Sequence, residues 1–224
     1  MREELLTAIF CDVDEFCKAF EKYCKEYCLP EKCVENEFFP KSRMSLSEIM
    51  TITIWFHLSH YRQFKWFYKN CVQGYLKSFF SHSVSYNRSV ELMQTALFAL
   101  TLYMIKFRVG KCTGIRILDS TTLEVCNIRR ENSHKVFKGK AQKGKSFTGW
   151  FYGFKLHLVI NDHGEIISFC FTAGNIDDRN PDVMNHLSKN LFEKLFGDKG
   201  YLSSKLFKKL FEKGIFLVTK IKKI

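Results

Sequence analysis

No CxxC pair occurs among the nine cysteines of this chain. A structural zinc site needs four donors, usually two close pairs. Here Cys24 and Cys28 stand alone, with the nearest histidines at His57 and His60, so a zinc centre is not expected. Cys17, Cys24 and Cys28 instead share a helical face with Leu6, Val13 and Phe20, where they serve as small apolar residues. Their natural setting is a reducing cytosol. The opening MREELLTAIFCDVDEF alternates charge with apolar residues and is not a secretory signal. No run is long enough to span a bilayer. The most apolar stretch, residues 96–105, is about half a membrane span and is flanked by Glu91, Lys106 and Arg108. It predicts a core helix and no membrane partner. Internal repeats and low-complexity linkers are also missing.

Acids are scarce relative to bases. Against 35 Lys and Arg there are 23 Asp and Glu, a net charge of +12. Such a surplus favours a polyanionic partner, because Lys and Arg displace counterions condensed on nucleic-acid phosphates. A hydrophobic content of 46% and an aromatic content of 16% exclude a disordered chain. The 23 Phe predict a Phe-rich core built from amphipathic segments.

Two halves differ in period, and the boundary falls at residues 109–114. The expected division is a helical N-terminal domain, 1–110, and an α/β domain, 111–224. Up to residue 107, apolar positions recur every three or four residues. A first helix runs over 3–27, and a second starts at Ser45, which forms a capping box with Glu48. RQFKWFYKN makes a short third helix, and a fourth begins near Asn87 or Ser89. His57 and His60 read as ordinary surface or satisfied histidines. Such a domain is compatible with DNA binding, though no helix-turn-helix stands out.

Beyond Gly114 the pattern becomes strand, strand, strand, helix, strand, helix, strand. IRILDST is the first strand, with Ile115, Ile117 and Leu118 directed inside a sheet. GFKLHLVIND and EIISFCFTAG form a hairpin through Asp162, His163 and Gly164. A helix starts at Asn180-Pro181, and SSKLFKKLFEKG is amphipathic and stops at Gly214. Lys205, Lys208 and Lys209 face outward on it. IFLVTKI is the last strand.

Two acids sit at strand ends. Asp119 closes the apolar part of the first strand, and Asp198 follows the fourth in FGDKGY. If those strands are neighbours, both carboxylates emerge at one edge of the sheet, where open α/β sheets bind ligands. Two converging carboxylates in a basic protein call for a cation between them. Mg²⁺, with Mn²⁺ as a substitute, takes oxygen ligands and is often completed by substrate phosphates. Where two ions act on a phosphodiester, Asp119 is the ligand both would share. A turn role for Asp198 is the plain alternative. A phosphatase with Asp119 as nucleophile would want a second acid two residues on, and Thr121 stands there.

The stretches LDSTTLEVC, HKVFKGKAQKGKSFTGWFYGFKLHLVINDHGEI, GNIDDRNPDV and GDKGYLSSKL, with SYNRSVELM in the first half, resemble the DDE transposases of bacterial insertion sequences. Insertion-sequence family 982 is the nearest type. The resemblance implies an RNase H-like mixed sheet: an antiparallel meander of three strands, then parallel strands. It implies a Mg²⁺-dependent Asp, Asp, Glu site, DNA cleavage and strand transfer at element ends and in target DNA, a homodimer and a bacterial cytoplasm. Asp119 and Asp198 match the first two acids. The third belongs on a helix after the last strand, where the sequence reads LVTKIKKI, so no residue here matches it. Glu193 and Glu212 lie on the wrong elements. Asp177 and Asp178 match the GNxDDR pattern, with a loop turn or helix cap as their simplest role. The expectation is a truncated, catalytically impaired transposase, or a non-catalytic DNA-binding remnant that occupies element ends or pairs with an intact copy.

Between residues 129 and 145 seven cations (Arg129, Arg130, Lys135, Lys138, Lys140, Lys143 and Lys145) face one acid, Glu131. Gly139 and Gly144 predict a flexible loop leaving the first strand beside Asp119 and holding DNA phosphates. A merely solvated loop is the alternative. Trp150, Phe151 and Tyr152 follow, either to stack on a base or to fill a core.

Overall fold

The computed structural model describes residues 2–27, 42–189, 191–201 and 203–219. The chain divides into two compact units, Met1–Phe107 and Arg108–Ile224.

The first unit is helical: α1 (Arg2–Tyr27), α2 (Leu46–Leu58), α3 (Phe64–Phe67) and α4 (Tyr86–Phe107). On α1 the residues Leu6, Val13, Phe20, Cys17 and Cys24 are buried on one stripe; Cys28 lies outside the described residues. The capping box of α2 forms. Ser45 Oγ accepts the Glu48 N–H at 3.1 Å, and Glu48 Oε2 accepts the Ser45 N–H at 2.7 Å, which satisfies two donors the first turn would otherwise strand. Instead of ending as a short α-helix, α3 widens into a π-helix over Tyr68–Tyr75. That winding turns Phe67, Tyr68, Cys71 and Val72 inward, and the Tyr68 hydroxyl donates to the Val84 carbonyl at 2.8 Å. By length and composition alone α4 could cross a membrane. Its Ser89, Leu92, Ala96, Ala99 and Tyr103, three or four residues apart, are buried in the helical core.

In the second unit one sheet carries six strands: β1 (Ile115–Cys126), β2 (Gln142–Ser146), β3 (Gly149–Asn161), β4 (Ile166–Ala173), β5 (Glu193–Gly197) and β6 (Ile215–Thr219). Helices α5 (Pro181–Leu187) and α6 (Ser204–Phe211) connect the later strands. The order is β2-β3-β1-β5-β6, with β4 also paired to β3. β3 is antiparallel to β1, β2 and β4, whereas β1–β5 and β5–β6 are parallel. The expected seven elements are present in the expected sequence, with β2 added from a stretch read as loop.

Strand alternation sorts the sheet into two unlike faces. Leu118, Val159, Leu195, Ile215 and Leu217 are buried against Val183, Met184 and Leu187 of α5 and Leu206 and Leu210 of α6. The neighbours Ile115, Ile117, Phe196, Phe216 and Val218 point the other way and stay 36–49% exposed. The expectation that Ile115 and Ile117 lie inside is therefore corrected, because both helices pack on one face. Asp119 continues the open face and is itself exposed, so its charge carries little of the desolvation cost of a core carboxylate.

Candidate active site

The parallel pairing of β1 with β5 ends immediately before the two acids. Ile117 pairs with Phe196 and Leu118 with Gly197; Asp119 is the next residue on β1, and Asp198 follows the end of β5. Each carboxylate is steadied in the same way. Asp119 Oδ1 accepts the Ser120 N–H at 2.8 Å, and Asp198 Oδ1 accepts the Lys199 N–H at 2.6 Å. Both side chains are exposed, and neither Oδ2 accepts a hydrogen bond among the described residues. Two acids thus each keep one oxygen free for a ligand.

Behind them the chain turns back through a short 3₁₀ segment, Lys199–Tyr201. The Tyr201 N–H donates to the Asp198 carbonyl at 3.0 Å. Its ring lies against Gly197, where an added Cβ would come within 3.3 Å of Tyr201 Cδ2. Tyr201 is 2% exposed, and its hydroxyl has no hydrogen-bond partner among the described residues. Burial pushes the phenol well above its ordinary pKa; the Ser120 hydroxyl opposes this, and the charges of Asp178, Asp119 and Asp198 add to it. A buried polar atom without a partner is uncommon.

Asp178 joins the site from the loop after β4. Its Oδ2 accepts from Ser120 Oγ at 3.1 Å, and its Oδ1 accepts from Lys155 Nζ at 3.0 Å. Lys155 also donates to the Ile176 carbonyl at 2.9 Å, fixing the loop to β3. Adjacent Asp177 plays the turn role: it accepts from the Arg179 backbone N–H and from the Nε and Nη2 groups of its guanidinium, which hold its carboxyl down at about 2. The cap of α5 is neither acid. Asn180 Oδ1 accepts the Asp182 and Val183 N–H groups. Among the described residues no group of three or more His, Cys, Asp or Glu is placed to hold a metal, so Asp178 buttresses Ser120 and does not complete a three-acid set. His157, fully buried, meets Thr172 Oγ1 through Nε2 at 2.9 Å. Burial lowers its pKa, with Asp178 opposing and Lys155 reinforcing the shift, so it is neutral near pH 7.

Glu193 and Glu212 are far from this site. Glu193 starts β5, whose other end leads into Asp198, and its N–H donates to the Gly214 carbonyl at 3.1 Å. Glu212 caps α6 just ahead of β6. Both occupy the opposite margin of the sheet, about 15 Å of strand away.

All seven cations of the basic segment are exposed, but their setting corrects two expectations. The segment does not leave β1 beside Asp119, because β1 runs on to Cys126, roughly 20 Å further. Nor is it a loose loop. Arg129 and Arg130 lie in a 3₁₀ helix, Ile128–Ser133, capped by Asn127, whereas Lys143 and Lys145 lie on β2. Gly144 is buried, and a Cβ on it would come within 2.1 Å of the Gly174 carbonyl oxygen. Glycine is required there for close approach of backbones, not for mobility. Phe137 packs edge-on against Phe154 at 5.4 Å. Lys143 reaches Glu131 at 3.6 Å.

Fold and site define an α/β protein with paired acids beyond the ends of adjacent parallel strand pairings. A family model described as "Transposase DDE domain" matches residues 109–224, and the chain belongs to that family. No curated protein matches it. Three solved structures are similar at low level. One is a simian T-cell lymphotropic virus intasome in complex with PP2A regulatory subunit B56 gamma, at 16% identity over 58% of this chain and 44% of that chain, TM-score 0.30. Another is a piggyBac transposase synaptic complex with hairpin DNA, at 12% identity over 99% of this chain and 42% of that chain, TM-score 0.37. A third is a Mos1 mariner paired end complex with Mn, at 10% identity over 97% and 77%, TM-score 0.29. The chain thus spans less than half the length of the first two.

Proposed function

We propose that this protein is a transposase of a bacterial insertion sequence, of the family-982 type, acting in the cytoplasm on the double-stranded DNA of element ends and targets. The observation that supports the reading is the β1–β5 register, in which Leu118 pairs with Gly197, the residues immediately before Asp119 and Asp198. Antiparallel β1, β3 and β4 followed by parallel β5 and β6 support an RNase H-like sheet.

The donor set suits a hard divalent cation: two exposed carboxylates with free Oδ2 atoms, and water and phosphate oxygens to fill the remaining positions. Asp119 and Asp198 would hold Mg²⁺ or Mn²⁺, which when bound supplies Lewis acidity toward a phosphodiester and lowers the pKa of water. The chain's own residues orient that site. Ser120 and Lys199 N–H groups each hold one carboxylate oxygen, and the buried Tyr201 ring packs against Gly197 next to Asp198. The exposed cations from Arg129 to Lys145 neutralise DNA phosphates and set the position of the strand, without reading its sequence. The helical unit is the part that would recognise element ends, as one of two copies in a homodimer.

A second reading is favoured by the position of the remaining acids. In this reading residues 1–224 bind DNA without cutting, because neither Glu193 nor Glu212 lies at the end of the sheet that carries Asp119 and leads into Asp198. Cleavage of labelled element-end DNA in Mg²⁺ decides between them. We expect background cutting by residues 1–224, and cutting by a chain continued after β6 through a helix that bears a glutamate. Robust cutting by residues 1–224 would overturn the need for a third acid; no cutting by the continued chain would overturn the transposase reading.

A further inference from the structure

We propose that the tip of the β2–β3 hairpin is a base-stacking site for unpaired DNA, with Phe147 as the stacking ring and Lys143 and Lys145 as its phosphate contacts. It rests on the DNA-cutting reading above and adds where a base freed from the duplex is held.

The connection between β2 and β3 is two residues, Phe147 and Thr148. Ser146 Oγ and Thr148 Oγ1 lie 2.8 Å apart, and Ser146 Oγ donates to the Gly149 carbonyl at 3.2 Å. Gly149 takes φ 130°, the backbone freedom that closes so short a turn. The tip is therefore built, and it presents Phe147 at 106% relative exposure. Trp150 stands beside it, 59% exposed, with the ammonium groups of Lys143 and Lys145 at 5.5 and 5.8 Å from its ring centroid. That cation–π contact aligns both lysines with the tip. The next two rings go inward: Phe151 is 2% and Tyr152 9% exposed. Of the cluster, Phe147 and Trp150 alone face solvent.

Single exposed aromatics are ordinary on protein surfaces; an aromatic at the end of a rigid, cationic hairpin is a different case. No acid occurs between Glu131 and Asp162 in sequence, and of the two lysines Lys143 faces Glu131 at 3.6 Å, whereas Lys145 faces only the Trp150 ring among the described residues. A second copy of the chain is a poor occupant, because two such tips repel. A polyanion whose units carry π faces suits both features at once, as on single-strand binding platforms. Distance fits as well. Asp119 pairs with Leu158, and β3 continues back to Gly149, roughly 30 Å of strand. That corresponds to about nine nucleotides of B-form spacing.

The test uses residues 1–224 and two probes at fixed salt: a blunt duplex of arbitrary sequence, and the same duplex with a single-stranded 3′ overhang carrying 2-aminopurine. Stacking on one ring is worth a factor of roughly 5 to 100 in affinity. We expect Phe147→Ala and Phe147→Leu to weaken overhang binding by such a factor and to abolish the fluorescence change of 2-aminopurine. Blunt-duplex binding should hold within about twofold. Replacing both Lys143 and Lys145 by Ala should lower the salt slope on both probes by roughly 2. Wild-type overhang affinity in Phe147→Ala overturns the stacking site while leaving DNA binding intact. Retention of affinity by Phe147→Leu alone overturns stacking in favour of an apolar contact. A change of oligomeric state on Phe147→Ala, with DNA binding unchanged, assigns the tip to self-association. Failure of the wild type to bind either probe removes the underlying reading as well.

Discussion

Asp119→Ala is expected to lower Mg²⁺-dependent DNA cleavage by roughly three orders of magnitude in a chain continued after β6 through a helix that bears a glutamate, and Asp198→Ala to do the same. The size follows from the several kcal/mol that a bound metal contributes at a phosphoryl centre, at 1.4 kcal/mol per tenfold in rate. Both losses should arise without loss of fold. Each side chain is exposed, and its one hydrogen bond is to the next residue's N–H, so thermal stability should move by no more than about 0.5 kcal/mol. Asp119→Asn is the sharper variant, since it keeps the shape and removes the charge. Asp178→Asn should be milder, because Asp178 touches Ser120 and Lys155 and is not placed with the other acids to hold an ion. A cleavage assay over the four variants, paired with thermal melts, checks the order.

Leu118→Ala is expected to be the most damaging single change to the α/β unit, at about 2–5 kcal/mol. Leu118 is 1% exposed and pairs with Val159 on one side and Gly197 on the other. Truncating it opens a cavity under the rung that precedes both acids. A loss of this size lowers the melting temperature by on the order of 10 °C. Ile117→Ala, one residue earlier on the open face at 44% exposure, should cost far less. Comparing the two by urea or thermal denaturation tests which face of the sheet is the core. Equal costs would show that the open face is covered in solution.

Much of this fold is legible in the sequence where local chemistry decides it. The stripe of Leu6, Val13, Cys17, Phe20 and Cys24, the Ser45–Glu48 box, the Asn180-Pro181 start and the Gly214 stop each act within a few residues, and each is where its pattern places it. What escapes is decided by tertiary contact. QKGKS has no alternation of its own; it becomes β2 because β3 offers an edge and Gly144 lets the Gly174 backbone approach. Arg116 reads as a polar residue between two isoleucines, yet it is fully buried, donating to Cys112 Sγ at 2.7 Å with its guanidinium over the Phe192 ring. Asp119 and Asp198 are visible as acids beyond strand segments, but that each follows one residue of the Leu118–Gly197 pair depends on strand register. Tyr201 and Lys155 carry no local mark of a site, and their roles emerge only when the loops after β4 and β5 fold back.

Asp119 and Asp198 are proposed to grip one divalent ion together. Mn²⁺ titration of residues 1–224, followed by the electron paramagnetic resonance of free Mn²⁺, measures it directly. A weak site is expected that Asp119→Ala and Asp198→Ala each remove, with the double variant no weaker than either single one. Undiminished Mn²⁺ binding in either single variant would contradict it.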